Sequence, residues 1–217
     1  MCNYADRKRG PGGGAPFRSG FTLVEMLVVI AIILILAAIL FPVFEAVLAR
    51  GEATSCLSNM RNLGMGMRIY SDDYAERIVP AMLPHPVHRR VCWDMTVQPY
   101  VRSEKMVLCA GDEYPRQLPG VLCLPHSYGI NLDLAEVGGY VGLSLHMAAI
   151  YDPTSTILLC ELNGERFATH GVRNTPGWQE RVAIYRHGGG ANYTFVDGHT
   201  KWLKPEATLD PQCLWTP

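Results

Sequence analysis

Residues 18–44 read RSGFTLVEMLVVIAIILILAAILFPVF and contain the longest apolar run of the chain. Sixteen apolar residues stand without a charge at 26–41, and Glu25 is the single charged residue within the 24 positions of 21–44. A helix of that length extends about 36 Å, which exceeds the hydrocarbon core of a bilayer at about 30 Å. The run therefore predicts a membrane-spanning helix over residues 21–44. The alternative is a helix buried in a protein core.

The twenty residues before this run are basic and rich in glycine and proline. Seven of them are Gly or Pro, and Arg7, Lys8, Arg9 and Arg18 outweigh Asp6. Such a segment buries too little apolar surface to offset its ordering entropy, so we expect disorder over residues 1–20. Positive charge favours the cytoplasmic side of a membrane. We therefore expect a single-pass protein of the inner (cytoplasmic) membrane, with a cytoplasmic amino terminus and a periplasmic or extracellular head.

Composition excludes several classes of protein. The 217 residues carry 19 Lys and Arg against 20 Asp and Glu, a net charge of −1, so the basic patch of a nucleic-acid binder is not expected. With 48% hydrophobic residues the chain is not an acidic disordered protein. The sequence contains no G-x-x-x-x-G-K-[ST] motif, so any ATP-driven motor must be a different protein.

The segment Arg18-Ser19-Gly20-Phe21-Thr22-Leu23-Val24-Glu25, placed before the apolar run, resembles the processing site of type IV prepilins. A secretory signal peptide would have a shorter apolar region with a small-residue cleavage site after it. The resemblance implies that a prepilin peptidase cuts between Gly20 and Phe21 on the cytoplasmic face. It also implies that the same peptidase/methyltransferase methylates the new Phe21 amine, and that residues 1–20 are a removable leader.

Glu25 lies where a lone carboxylate costs roughly 2–4 kcal/mol and needs a partner. No Lys, Arg or His occurs in the next 24 residues. In the resembling family the partner is the Phe21-type amine of a neighbouring subunit, and the pair sets the axial register of a filament. The alternatives are that Glu25 snorkels to the interface or is protonated. Pro42 removes a helical hydrogen bond, and pilin-like helices bend or locally melt at the matching place.

Residues 45–74 continue the helical pattern in amphipathic form. Apolar side chains recur at intervals of three and four residues, at Cys56, Met60, Leu63, Met67, Tyr70 and Tyr74. We therefore expect one helix over about 21–74, with its second half, a stalk helix, packed on a globular head. Gly64 and Gly66 weaken this helix and favour close packing.

Residues 75–217 predict a β-rich head, because prolines are scattered between short apolar runs. Candidate strands are 157–162, 182–185, 193–196 and 200–203; residues 93–100 suit a short helix or strand. Asp197-Gly198 predicts a tight hairpin turn. The fold class is therefore α+β, a pilin-like long helix on a small antiparallel sheet. The head also contains a His-x9-Asp-Gly motif, formed by His187 and Asp197-Gly198 and followed by His199. In this motif the chain resembles a bacterial pilin-like family.

Six cysteines remain once the leader is removed. Outside the cytoplasm disulfides persist, and Cys109 and Cys123 flank a 13-residue loop, so these two are the favoured pair. Fifteen complete pairings of six cysteines exist. Cys56 and Cys160 equally suit buried, unpaired positions.

Three function classes remain. The first is a pilin or pseudopilin-like structural subunit without enzymatic activity, assembled into a filament for type II secretion or pili. Its partners would be the prepilin peptidase, copies of itself, other pilin-like subunits, an inner-membrane assembly platform and lipid, with no nucleic acid. The second is a membrane-tethered extracytoplasmic binding module. The third is a metal-dependent hydrolase that uses His187, Asp197 and His199.

No cofactor is expected, although the head motif leaves calcium or a transition metal open. Calcium is coordinated by six to eight oxygen ligands. Between residues 181 and 204 the one acidic side chain is Asp197, so this stretch supplies too few oxygens. The simpler interpretation is that Asp197 caps its own turn while His187 donates to a nearby carbonyl. In the metal interpretation, the glycines at 188–190 would bring His187 back over the turn at Asp197 and His199.

Overall fold

The computed structural model describes residues 20–113, 117–118, 120–163, 171–172, 182–183, 185–208 and 214–217. The chain divides into two compact units, residues 1–44 and 45–217. All of the predicted leader except Gly20 lies outside the described residues. A long apolar amino-terminal helix is followed by small, mainly antiparallel sheets, which confirms the predicted α+β, pilin-like fold class.

Helix α1 spans Leu23–Asp73, a length of 51 residues. It is the one described helix that is long and apolar enough to cross a membrane, and none of its most apolar window is buried within the chain. Within its own unit, this window is therefore not a buried core helix. Pro42 lies inside α1, and the helix continues on both sides of it. Beyond Asp73 the helix stops where Ala75 and Glu76 take positive φ angles of 53° and 56°.

The head contains seven strands and two short helices among its described residues. In chain order these are β1 (Met82–His85), β2 (Arg89–Cys92), α2 (Trp93–Val101), β3 (Tyr128–Asn131), α3 (Leu132–Ala135), β4 (Ile157–Glu161), β5 (Gly171–Val172), β6 (Ala191–Phe195) and β7 (Thr200–Leu203). Short 3-10 turns lie at Glu104–Val107, Val137–Gly139, Met147–Ala149 and Pro205–Thr208.

Five of the strands form one sheet in the order β5-β3-β4-β6-β7. The pairs β3–β4, β4–β6 and β6–β7 are antiparallel, and β5 runs parallel to β3. Strands β1 and β2 form a separate antiparallel hairpin. All residues of β4 and β6 are buried, because both faces of the sheet are covered. One face packs on a core that includes Met60 and Leu63 of α1, and the other on a cluster around Trp215.

The second half of α1 belongs to this head and buries one face in it. Most of the predicted stripe is 0–5% exposed, and its last member, Tyr74, is exposed but stacks on Tyr70 with ring centroids 4.3 Å apart. A Cβ on Gly64 would lie 2.5 Å from Thr194 Cγ2, and one on Gly66 would lie 2.6 Å from Val101 Cγ1. The two glycines therefore let α1 approach β6 and α2 closely.

Local sequence signals predicted some secondary-structure elements of the head correctly and others not. The strands expected near 157–162, 193–196 and 200–203 are present, and Gly198 has the positive φ of 93° that the hairpin turn requires. Residues 93–100 are helical, as one of the two alternatives had it. The strand expected at 182–185 is reduced to an isolated bridge between Val182 and Leu162 among the described residues.

Candidate processing segment and buried head cluster

The predicted cleavage position lies just before the first turn of α1. Gly20 and Phe21 precede the helix, and Phe21 is 76% exposed. A Cβ built on Gly20 would have no heavy atom within 4 Å. In this unit the Gly20–Phe21 bond therefore lies outside the helix, and the residue that follows it is exposed.

Thr22 and Glu25 form a reciprocal cap at the start of α1. One oxygen of the Glu25 carboxylate accepts hydrogen bonds from the Thr22 N–H and the Thr22 hydroxyl, both at 2.7 Å. The Glu25 N–H donates to Thr22 Oγ1 at 3.2 Å. This is a capping box, which satisfies two helix-start donors and places negative charge at the positive end of the helix dipole. Sequence reasoning sought only cationic partners for Glu25 and missed Thr22, although the spacing T-x-x-E carries this signal.

In the head, His187 joins a buried polar cluster instead of the hairpin turn. Its Nε2 lies 2.9 Å from Glu161 Oε1 and 3.4 Å from Cys109 Sγ. The other oxygen of Glu161 accepts from the Asn192 N–H at 3.2 Å, and the Asn192 side-chain amide donates to Oε1 at 3.1 Å. Glu161 is 0% exposed and His187 7% exposed. Buried charge is tolerated when it is hydrogen-bonded in this way.

Elements on three sides fix this cluster. Glu161 ends β4, Asn192 lies in the neighbouring β6, and His187 sits in the glycine-rich turn before β6. The turn is closed by a bond from the His187 N–H to the Gly190 carbonyl at 3.1 Å, and Trp202 Nε1 donates to the His187 carbonyl at 2.8 Å. Glu161 was not singled out from the sequence. The signal was available, because it is the one charge in the apolar run 157–162.

The Glu161 carboxylate also affects the pKa of its neighbour Tyr128. Burial, and after it the Glu161 carboxylate, raises the pKa of Tyr128 above its ordinary value. The Tyr128 hydroxyl donates to the Leu108 carbonyl at 3.2 Å, and the Asn59 amide of α1 donates to the same carbonyl at 3.1 Å. These contacts hold the segment before Cys109 against both the sheet and α1.

The disulfide of the structure joins Cys56 to Cys109, with 5.1 Å between their Cα atoms. The favoured pair Cys109–Cys123 is therefore wrong, and so is the interpretation of Cys56 as an unpaired residue. Loop length decides such pairings weakly, because closing a longer loop adds little entropy cost. What decides here is the packing of the 108–109 segment on α1. Cys160 is buried, and its thiol donates to the Gly129 carbonyl at 3.6 Å.

Asp197 and His199 form a separate, half-exposed pair on the β6–β7 turn. Asp197 Oδ1 accepts from the His199 N–H at 3.0 Å and lies 2.6 Å from His199 Nδ1. Asp197 thus caps its own turn, and Gly198 supplies the positive φ. His187 Nε2 lies against Glu161 and Cys109 instead, so the metal interpretation, which brought His187 over Asp197 and His199, is wrong. The simpler interpretation is right for the Asp197 cap and wrong for His187, whose Nε2 meets a carboxylate and not a carbonyl.

Four side chains could jointly offer ligand atoms to a metal: Cys56, Cys109, Glu161 and His187, whose atoms lie within 4.8 Å of one another. Two cysteines, a histidine and a carboxylate suit zinc better than calcium. In the disulfide form, however, neither sulfur is a thiolate, and the oxygens of Glu161 already accept hydrogen bonds from Asn192. In this state the cluster is a closed structural network.

A second buried acid–histidine pair was not anticipated. Asp94 Oδ2 lies 3.4 Å from His126 Nδ1 and accepts from the Leu124 N–H at 2.8 Å, and both side chains are fully buried. Asp94 Oδ1 accepts from the Met95 N–H at 2.7 Å. The pair joins the start of α2 to the segment before β3. Neither residue stands in a motif, so no sequence signal pointed to it.

The fold is pilin-like, and the described part of the chain contains one apolar helix that is a candidate membrane anchor. The family model of the prokaryotic N-terminal methylation motif matches residues 17–41, which supports a type IV pilin-like or pseudopilin-like protein that a prepilin peptidase processes. The chain matches no curated protein and no solved structure in the corresponding comparisons. The resemblance of the head to the His-x9-Asp-Gly family stays an expectation.

Proposed function

We propose that this chain is a pilin or pseudopilin-like structural subunit. It is cleaved between Gly20 and Phe21, methylated on Phe21, and held in the inner membrane by residues 21–44 with its head outside the cytoplasm. From there it assembles through α1 with copies of itself and other pilin-like subunits on an inner-membrane platform, into a filament for type II secretion or pili. The observation that carries this proposal is the methylation-motif match at 17–41, which continues into an exposed apolar helix.

Two further observations support the placement and the absence of enzymatic activity. The Cys56–Cys109 disulfide fits an oxidising compartment outside the cytoplasm. The cluster of Glu161 and His187 resembles a catalytic pair only in its residue types, because both side chains are buried and a substrate would have no access to them. We therefore assign this cluster to stability and not to hydrolysis; the proposed structural subunit requires no cofactor for its role.

The processing step is tested by mass spectrometry of the protein extracted from membranes of a host that has the peptidase. We expect the mature chain to begin at N-methylated Phe21. Gly20→Ala meets no steric obstacle in the structure, since a Cβ there has no neighbour within 4 Å. Accumulation of the uncut Gly20→Ala chain would therefore report recognition by the peptidase and not misfolding. Wild-type protein that still begins at Met1 in such a host contradicts the proposal.

A groove in the head favours a second candidate, a membrane-tethered binding module. It measures about 630 Å³, within the range of ligand sites, and lies between Arg61, Met65 and Arg68 of α1 and the turn at Asp197–His199. Filament formation discriminates between the two candidates. Overproduced wild-type protein imaged by electron microscopy should form filaments if it is a structural subunit. A protein that is processed and membrane-bound but never polymerises, with or without other subunits, supports the binding module.

A further inference from the structure

Cys92 and Cys123 occupy neighbouring positions on two adjacent extended segments. Val91 and Leu122 form a parallel bridge, the Cys92 N–H donates to the Leu122 carbonyl at 3.0 Å, and the Leu122 N–H donates to the Arg90 carbonyl at 3.0 Å. Adjacent strands lie about 4.8 Å apart, and disulfides join Cα atoms roughly 4.4–6.8 Å apart. Cys92 and Cys123 lie one residue beyond the bridge, so the strand spacing there suits a disulfide; in the structure both are thiols.

The side chains of the two cysteines face one another in a small apolar cluster. Cys92 is 0% and Cys123 6% exposed, they share this cluster with Met82, and each thiol influences the pKa of the other. The Leu118 N–H also donates to Cys123 Sγ at 3.2 Å, which fixes the sulfur in place. Cys160 belongs to a different cluster, the one around Trp215.

We propose that Cys92 and Cys123 form a second disulfide in the mature protein. The reaction joins the two sulfurs while two thiol protons and two electrons leave. The electrons pass to the disulfide of an extracytoplasmic thiol oxidoreductase, which becomes a dithiol, through a mixed disulfide with one of the two cysteines. The proposal rests on the extracytoplasmic placement of the head within the proposed function, and the disulfide Cys56–Cys109 requires the same environment.

The order of events follows from burial. Burial, as the largest cause, raises the pKa of both thiols, and the thiolate is the attacking species in disulfide exchange. Once the head has folded and the two thiols are buried, disulfide exchange at this site is slow. The bond therefore forms while the chain is still folding. The closed loop then contains residues 93–122, whose Cys109 is itself linked to α1. Both ends of the loop and a point within it are thereby fixed.

Peptide mapping of the full-length protein tests this inference. Membranes are dissolved in denaturant with N-ethylmaleimide, and the chain is digested with trypsin without reduction. Cleavage at Lys and Arg places Cys92 in peptide 91–102, Cys123 in 117–166, Cys56 in 51–61 and Cys109 in 106–116. Cys160 shares the peptide of Cys123, so the matched variant Cys160→Ala is mapped in parallel. We expect 91–102 linked to 117–166 in both proteins, beside the link between 51–61 and 106–116.

Each other outcome overturns the inference in a distinguishable way. If Cys92 and Cys123 are alkylated while 51–61 and 106–116 are linked, the head is outside the cytoplasm and the inference alone fails. If all four cysteines are alkylated, the extracytoplasmic placement in the proposed function fails with it. If the link between 91–102 and 117–166 disappears in Cys160→Ala, the partner of Cys92 is Cys160. As a second readout, Cys92→Ala with Cys123→Ala should lower the melting temperature by on the order of 10 °C.

Discussion

At the scale of single residues, Glu25 in the apolar segment and Glu161 in the buried sheet both accept hydrogen bonds from donors of this chain. Glu25 accepts two hydrogen bonds from Thr22 at the start of α1. Glu161 is held inside the head by His187 and Asn192. The two carboxylates differ in the sequence separation of their partners. Thr22 is three residues from Glu25, whereas His187 and Asn192 are 26 and 31 residues from Glu161. A local cap can form before assembly, whereas the Glu161 network needs the folded sheet.

For Glu25, two substitutions separate helix capping from charge. Glu25→Gln retains a side-chain oxygen that can accept from Thr22, whereas Glu25→Val removes both the cap and the charge. Both variants should insert into the membrane as well as wild type, since a charge leaves the apolar segment. If a neighbouring amine pairs with the carboxylate, both should fail to assemble. Counting filaments by electron microscopy beside membrane-fraction immunoblots checks this. Normal assembly of Glu25→Gln would show that capping suffices.

For the head, the buried pair of Glu161 with His187 can be compared with the half-exposed pair of Asp197 with His199. Glu161→Ala leaves His187 buried without its partner and should lower the free energy of unfolding by about 3–5 kcal/mol. His199→Ala removes a half-exposed partner of Asp197 and should cost less than about 1 kcal/mol. All four tryptophans lie beyond residue 45, so tryptophan fluorescence during denaturant unfolding in detergent reports on the head. Equal losses in the two variants would contradict the structural role of Glu161.

At the scale of elements, the contact between α1 and the sheet depends on the missing side chain of Gly64. Thr194, which the Cβ would strike, is fully buried and its hydroxyl donates to the Met60 carbonyl at 3.2 Å, so it cannot swing aside. Gly198 O lies 3.1 Å from the same Cβ position. Gly51, in the same helix, has no heavy atom within 4 Å of its Cβ position. The same substitution should therefore have opposite effects at the two glycines.

Gly64→Ala should destabilise the head by up to about 2 kcal/mol, because overpacking costs roughly 1–3 kcal/mol and better helix propensity returns about 1 kcal/mol. Gly51→Ala should stabilise it by about 0.5–1 kcal/mol or leave it unchanged. Thr194→Ser removes the clashing methyl and keeps the hydroxyl, so it should partly rescue Gly64→Ala. Denaturant unfolding followed by fluorescence measures all three. A neutral Gly64→Ala would mean that β6 yields to the helix.

Prediction from sequence succeeded where the decisive interactions are local. The bounds of α1, its buried stripe and the hairpin at Asp197-Gly198 follow from periodicity and turn chemistry within a few residues. The pairing of β3 with β4 and the Cys56–Cys109 link depend on residues 29 or more positions apart. No periodicity encodes such contacts. The same distinction applies to the candidate sites. The processing motif is a contiguous stretch and was recognised from sequence, whereas Glu161 and His187 are brought together by the folded sheet and were not.

At the scale of the whole molecule, the Cys56–Cys109 bond should contribute strongly to the stability of the head. It spans 53 residues, and removing such a disulfide costs about 2–5 kcal/mol. Cys56→Ala with Cys109→Ala should therefore unfold at lower denaturant concentration than wild type. Cys160→Ala, which removes a buried cysteine outside this bond, is the control and should lose about 1 kcal/mol or less. Equal midpoints for the double variant and wild type would show that the bond is redundant with packing.

The same bond has a mechanical consequence. Tension applied between the amino-terminal end of α1 and the carboxyl terminus passes through the sulfur atoms and bypasses residues 57–108, which cannot be stretched while the bond is intact. At roughly 3.4 Å per residue, 53 residues correspond to about 180 Å of contour length that stays hidden. In an optical trap the oxidised head should therefore extend about 180 Å less on full unfolding than the reduced head. In a filament of the kind proposed, each oxidised subunit would therefore extend less under a pulling force than a reduced one.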